Sequence, residues 1–540
     1  MHYAIDFGTS NTVIARINNN GEIETLKLEQ FSQFQPHNPP VIPSLVFVEN
    51  AASSEVVVGQ SVRDRGLDFR NHNQRFFQNF KRAIAQPLSG FLPELDGIEI
   101  TSAMIGRWFL TELIRQLPEV TSLVVTVPVD SFESYRQWLS GVCEDLAVSQ
   151  VSILDEPTAA ALGYGLNTGN ETILVIDMGG GTLDMSLVKL NLHIQNQIEN
   201  QDQIQARKQT LGFLLKWGDR ILNQSVNQSV NPSTNQVPKP TIARVIAKTG
   251  QNLGGIDIDN WLVGYFCDSL GLPHNSVVAR LAEKLKITLS TSEQATEVFF
   301  DDETFNSYSL ELGRSQFDNI LQAHNFFNRL DQSLDQIKQQ ALRQGLDLAS
   351  IDAVLLVGGT AQIPAVHNWI KQYFPPQKIK SHKPFEAIAH GALNQNFQLQ
   401  DFLYHSYGVR YWDKRYRQHN WHPIIKSGAA YPTEPIELVL GASQLDQPSI
   451  ELVIGELGET SLEVYFEGDR LITRLLKQSQ TVAQKLNEQV ITPLDPLGQP
   501  GSDRLKVSFQ VNAQRTLCIS IEDLLTKQLI LQNQPVVKLV

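Results

Sequence analysis

VIDMGGGTLDMS, residues 175–186, ends an apolar run on an acid and follows it with three glycines. A shorter relative, AIDFGTSNT, stands at residues 4–12. In each, Ile-Asp and one further apolar residue lead into Gly and then Thr. A glycine-rich turn after a strand lets backbone N–H groups approach a phosphate without obstruction from a Cβ. A carboxylate beside that phosphate repels it unless a divalent cation lies between them, directly or through the waters that Mg2+ usually keeps. One such turn most often means a tight turn with a capping Asp. Two, in matching context, point to duplicated halves that clamp one Mg-nucleotide. The Walker pattern G-x-x-x-x-G-K-[ST] does not occur, which removes the commonest competing phosphate loop.

Bulk properties agree with a globular protein. The 540 residues are 42% hydrophobic and 19% charged, with 34 Gly and 25 Pro, and that length favours two or more domains. A net charge of −13 argues against nonspecific binding to nucleic acid or anionic membrane. Cys143, Cys267 and Cys518 are far apart and in no metal-ligand spacing, so they read as reduced thiols. The N-terminus has no secretory pattern, and no apolar run reaches the length of a membrane span. A soluble, cytoplasmic protein is expected.

From residue 1 to about 395, strand-like runs (HYAIDF, SLVVTVP, TILVIDM, DAVLLVGG) alternate with helical patterns at 102–117, 131–147, 274–290 and 315–344. That is α/β architecture, and the wholly apolar strands read as covered on both faces. The segment 191–240 is rich in Asn and Gln and reads as a mostly flexible insertion. Within it Phe213, Trp217 and Ile221 share one face of a possible helix, packed on its own domain in preference to a partner or membrane. After residue 405 the period becomes two, in PIELVLGA (435–442), SIELVIGEL (449–457), SLEVYFEGDRLI (461–472) and LKVSFQV (505–511). TLCISIE (516–522) follows the turn NAQR as a hairpin return strand, and 474–489 is the one helix candidate. A β-sandwich is expected there.

A third glycine pair ends the apolar strand in LLVGGTAQIP (355–364), where backbone can approach a flat base. ILDEPTAAALGYG (153–165) places Glu156 where a strand meets a helix of small, closely packing residues.

With these motifs together, residues 1–395 resemble the actin/hexokinase/heat-shock ATPase superfamily, and within it the DnaK-type seventy-kilodalton heat-shock chaperones. DEPTAAALGYG narrows the resemblance, since sugar kinases lack it. TGQNLGGIDIDNWLV (249–263), LAEKLKITLSTS (281–292) and FKRAI (80–84), the last matching the segment with the catalytic lysine, add to it. The resemblance implies an α/β actin-like ATPase domain of two duplicated ribonuclease-H-like halves (1–397), a linker (398–405) and an all-β sandwich that binds substrate (406–540). It implies ATP/ADP and Mg2+, with K+ as a further candidate ion. Asp6, Asp177 and Asp184 would hold the metal and its waters. Gly8, Thr9, Ser10 and Asn11, with Gly179, Gly180, Gly181 and Thr182, would cradle phosphates. Lys81 would reach the γ-phosphate and attacking water, with Glu156, Asp177 and Thr182 as the other catalytic groups. Gly254, Gly255, Glu283, Lys286 and Ser290 would face ribose and base, opposite Gly358, Gly359, Thr360 and Gln362. Pro128 and Arg136 match a proline switch and its arginine relay.

Departures from the family pattern carry expectations too. Gln362 replaces an arginine that stacks on adenine and Ile287 another basic residue, which should weaken adenine binding or relax base choice without touching phosphate chemistry. Ser152 replaces an arginine important for J-domain co-chaperones, so that coupling and nucleotide-exchange factors stay open. The segments 45–100 and 264–280 look shortened. The family's β-domain is followed by a helical lid, whereas this sequence stops at residue 540, so fast peptide exchange in every nucleotide state is expected. The leading reading is an ATP-hydrolysing chaperone for unfolded or extended polypeptides, expected as a monomer. The alternative is a nucleotide-gated scaffold for one dedicated partner with slow or vestigial ATPase. An actin-like filament protein or a small-molecule kinase ranks below both.

Overall fold

Two buried strands, His2–Phe7 and Thr172–Met178, each carry an Asp at the penultimate position and each anchor a sheet. The chain was analysed as a computed structural model. It describes residues 1–33, 38–68, 74–84, 88–89, 93–128, 133–146, 148, 150–165, 171–191, 242–301, 305–394, 402–403, 406–413, 418–426, 429–458, 461–467, 470–476, 482–487, 490–512 and 515–539.

In the first sheet the order is Gln150–Asp155, Ser122–Val127, His2–Phe7, Asn11–Ile17, Ile23–Thr25. His2–Phe7 runs parallel to Ser122–Val127 on one side and antiparallel to Asn11–Ile17 on the other. The second sheet repeats this plan. Its order is Ile242–Gln251, Leu183–Asn191, Thr172–Met178, Ala353–Val357, Ile379–Lys380. Thr172–Met178 is parallel to Ala353–Val357 and antiparallel to Leu183–Asn191. Parallel neighbours need crossovers, and helices supply them, which is why these strands are apolar on both faces. Along Thr172–Met178 the alternation is visible: Leu174, Ile176 and Met178 enter one core with the helices Gly255–Leu270, Ser276–Leu289 and Phe326–Arg343, whereas Ile173 and Val175 enter another with Ala159–Ala161, Ala387 and Ile388. The duplicated plan expected from the two Asp-Gly turns is the plan of the fold.

The small residues of DEPTAAALGYG serve close packing. The helix Glu156–Gly163 lies so near Ala387–Ala392 that a Cβ on Gly163 would sit 1.9 Å from the Ala387 carbonyl oxygen. The helical stretch expected over 315–344 is two helices, Arg314–Ala323 and Phe326–Arg343. Asn325 breaks it in the left-handed region, φ 58°, a conformation Asn tolerates better than most residues.

From Phe402 onward every described element is a strand. One four-stranded sheet contains Gln418–Ile425, Ser406–Asp413, Ile454–Gly458 and Val482–Lys485; a second contains Ile436–Gly441, Asp503–Val511, Thr516–Asp523 and Gln528–Lys538. Tyr407, Val409 and Ile454 of the first meet Leu505, Val507, Phe509 and Ile519 of the second in one core, the sandwich arrangement expected. Three details differ from the sequence reading. The run 449–457 changes sheets at Val453, with Gln447–Leu452 pairing Val490–Gly498 and Ile454–Gly458 pairing Ser406–Asp413. The run 461–472 is a hairpin of Ser461–Glu467 and Arg470–Leu476. The helix candidate at 474–489 is strand where described, at Arg470–Leu476 and Val482–Lys485. Apart from Asn191, which ends the strand Leu183–Asn191, the 191–240 insertion with Phe213, Trp217 and Ile221 lies outside the described residues. Of the expected linker only Phe402–Leu403 is described, paired with Ala429–Ala430.

Candidate functional site

The two glycine turns close on each other. A Cβ on Gly180 would lie 1.8 Å from Ser10 Oγ, and one on Gly181 would lie 2.7 Å from Thr9 Oγ1. Each turn follows its Asp-bearing strand into an antiparallel partner, so strand geometry fixes where the carboxylates emerge. In the second hairpin Asp177 stands directly opposite Asp184. In the first, Asp6 stands opposite Val13 and accepts a hydrogen bond from Thr126 Oγ1 at 3.3 Å. The Gly179 N–H donates to the Thr182 carbonyl at 3.1 Å and closes the second turn.

Glu156 and Lys81 arrive from separate elements. Asp155 caps the helix Glu156–Gly163 by accepting the Thr158 N–H at 2.8 Å, which places Glu156 in its first turn. Lys81, on the short 3-10 helix Phe80–Ala83, donates through Nζ to Glu156 Oε1 at 3.2 Å and lies 5.6 Å from the Phe7 ring centroid. Their side chains are 10% and 9% exposed, so the pair is nearly dry. Burial acts to lower the Lys81 ammonium, but Glu156, Tyr135 and Asp6 outweigh it and hold its pKa above the ordinary range. Burial and then the Glu156 charge push Asp6 up to about 7. The same two causes, followed by Asp184 and Asp6, raise Asp177 well above the ordinary value.

Asp6, Asp177 and Glu156 thus crowd Lys81, with Asp184 acting on Asp177 and Lys248 lining the same pocket, an electrostatic setting that a divalent cation relieves. Among the described residues no three His, Cys, Asp or Glu converge closely enough to grip an ion alone. The donor set therefore fits a cation held largely through its own waters, as suits Mg2+.

The neighbouring glycines are packed on this centre. Gly255 N–H and Ile256 N–H donate to the carbonyls of Gly179 and Gly180 at 3.1 and 2.9 Å, and a Cβ on Gly254 would meet the Gly180 carbonyl oxygen at 2.5 Å. Thr360 Oγ1 donates to the Gly179 carbonyl at 2.9 Å. Gly358, at φ 85°, backs on Asp177, with a Cβ there 2.7 Å from Asp177 Oδ1, and Gly359 packs on Phe385. These two glycines serve the carboxylate strand and the Phe385 ring. Asn11 begins the strand after the first turn, opposite Pro43.

The residues expected at ribose and base have other partners. Glu283 pairs with Arg63 of the first half at 3.0 Å. Lys286 donates to Asp259 Oδ2 at 2.7 Å and to the Gly255 carbonyl at 3.0 Å. Ser290 caps the end of the helix Ser276–Leu289, its hydroxyl donating to the Lys286 carbonyl at 3.2 Å. Ile287 is 41% exposed on that helix, and Gln362 ends the turn Gly359–Gln362. Pro128 lines a pocket with Glu156, Asp177, Asp184, Ser186 and Lys248, while Arg136 is fully buried and its charge acts on Asp155. Sequence reading missed Arg63, Asp259 and Arg82. Arg82 alone carried a signal, its place beside Lys81.

Comparison with known proteins gives relatives throughout. A family model described as Hsp70 protein matches residues 99–196 and 243–401. Chaperone protein dnaK of Phaeodactylum tricornutum is 28% identical over 432 residues, covering 72% of this chain and 60% of its own. Chaperone protein DnaK of Psychrobacter cryohalolentis is 24% identical over 574 residues, covering 96% and 75%. That of Thermus thermophilus is 26% identical over 429 residues, covering 72% and 60%. The chain thus spans about three fifths of two of these relatives and three quarters of the third.

Proposed function

We propose that the chain is a member of the Hsp70 family that binds and hydrolyses Mg-ATP between the two glycine turns, with nucleotide state governing capture of extended apolar polypeptide by its β region. The observation that carries this reading is the meeting of the two turns beside the buried Lys81–Glu156 pair. Asp6, Asp177 and Asp184 hold the metal waters, and Thr9, Ser10, Gly180, Gly181 and Thr182 surround the β- and γ-phosphates. Bound Mg2+ offsets phosphate charge that these carboxylates would otherwise repel. Lys81 offsets charge on the outer phosphoryl oxygens and Glu156 orients the attacking water; such catalysis rests on positioning and electrostatics. Turnover is slow, because Lys81 is already committed to Glu156 and must be shared.

Residues 1–397 form the ATPase unit and 406–540 the unit that takes a peptide by backbone pairing and an apolar pocket. No helix among the described residues is long and apolar enough to cross a membrane. The test is phosphate release from ATP by the wild type and by Lys81→Met, each with Mg2+ and with EDTA. Release that needs both Mg2+ and Lys81, with Lys81→Met reduced at least about a hundredfold, supports the reading. Equal release by both proteins would remove it.

A further inference from the structure

We infer that Arg82 is a phosphate contact that distinguishes a nucleoside triphosphate from a diphosphate. The inference rests on the proposed nucleotide site and concerns a residue to which that proposal gives no role. Arg82 follows Lys81 on the turn Phe80–Ala83 of the first half, yet its guanidinium lies against the second. One terminal nitrogen donates to the Gly181 carbonyl and lies 3.4 Å from Asp257 Oδ2. The side chain is only 8% exposed.

Its Nε is buried with no hydrogen-bond partner. Buried guanidinium donors are seldom left unmatched, because the lost hydration is not replaced. Nε lies against Gly181 and near Thr9: a Cβ on Gly181 would lie 2.6 Å from Arg82 Nε and 2.7 Å from Thr9 Oγ1. The unmatched donor therefore sits beside the place where the two glycine turns meet.

Charge around it is unbalanced in the same sense. Lys81 is matched by Glu156 and Lys286 by Asp259. Arg82 and Arg329 act on each other and share one carboxylate, Asp257, which already accepts the Gly254 N–H at 2.8 Å. A terminal phosphoryl oxygen between the turns supplies the acceptor that the Nε donor lacks. A diphosphate, one phosphoryl shorter, does not reach a group that stands beside the γ-phosphate lysine. Arg82 already bridges the two halves through the Gly181 carbonyl and Asp257, and a third phosphate would add one further contact to that bridge.

The test is calorimetric affinity for Mg-ADP and for a non-hydrolysable Mg-ATP analogue, in the wild type, Arg82→Gln and Arg82→Lys. Arg82→Lys keeps a charge across the cleft but has no Nε donor. The expected result is that both variants lose about tenfold or more in triphosphate affinity, as for a lost charge-assisted hydrogen bond, while diphosphate affinity changes less than about twofold. Equal losses for both nucleotides would make Arg82 a structural strut and overturn the inference, as would full triphosphate preference in Arg82→Lys. A wild type that binds neither nucleotide would overturn the site reading itself.

Discussion

Replacing Asp6 with Asn removes one carboxylate from the crowd at the two turns and keeps the side chain's shape. Burial first, and the Glu156 charge second, push the Asp6 carboxyl up to about 7 against an opposing pull from Lys81 and Thr126. In the unfolded chain it titrates near its ordinary value, 3.8. Between those values the folded protein holds a proton that the unfolded chain has released. Stability therefore falls as pH rises through that window and levels off above about 7. At 1.36 kcal/mol per pH unit the whole separation corresponds to about 4 kcal/mol. Asp6 is only partly shielded at the cleft, so solvent screening reduces this to about 2 kcal/mol. The assay is chemical denaturation of the full chain in EDTA at about pH 5 and about pH 8. Because only the part of the window between about pH 5 and about pH 7 is sampled, Asp6→Asn should lose about 1 kcal/mol less than wild type over that range and be the more stable protein at the higher pH. Mg-ADP should stabilise wild type far more than the variant. Parallel pH profiles for the two proteins would refute the reasoning.

Other residues give separate expectations. Arg63→Ala removes the pair with Glu283 that joins the two halves, 17% and 29% exposed, and should speed release of fluorescent ADP about threefold in stopped flow, less so at high salt. Arg504→Met leaves Asp523 buried without its cation, both side chains being 5% exposed, and should cost about 3 kcal/mol in denaturation of the β region. Removing both partners, Arg504→Met with Asp523→Leu, should cost less. Gln362→Arg should tighten ADP binding about threefold and leave inorganic phosphate binding unchanged, read by calorimetry.

The parts of this protein legible in its sequence are those fixed by local chemistry. Two Asp residues, each at the end of an apolar strand and followed by a glycine turn, have few physical meanings, so Asp6 and Asp177 could be read together before any coordinates, whereas Asp184 entered only through the family resemblance. The small-residue helix begun at Glu156 was readable for the same reason, whereas the Asp155 cap emerges only in the structure. Partners set by tertiary approach were not. Nothing near Glu283 in sequence points to Arg63, 220 positions away, and Lys286 gives no sign of preferring Asp259. The β region was harder because period two does not say where a strand changes sheets. Val453 sits inside one apolar alternation yet divides it, and Gln528–Lys538, an 11-residue strand, is too polar to announce itself. The Asn325 break shows the opposite case, a legible signal overridden by the strong helical period on either side.

The central claim is that nucleotide between the glycine turns controls what the β region holds. The most direct test is the dissociation rate of a fluorescent, extended apolar peptide from the full chain, with ATP and then with ADP. The account predicts measurable binding in both states and faster exchange in ATP. Identical rates in the two states, or no peptide binding in either, would contradict it.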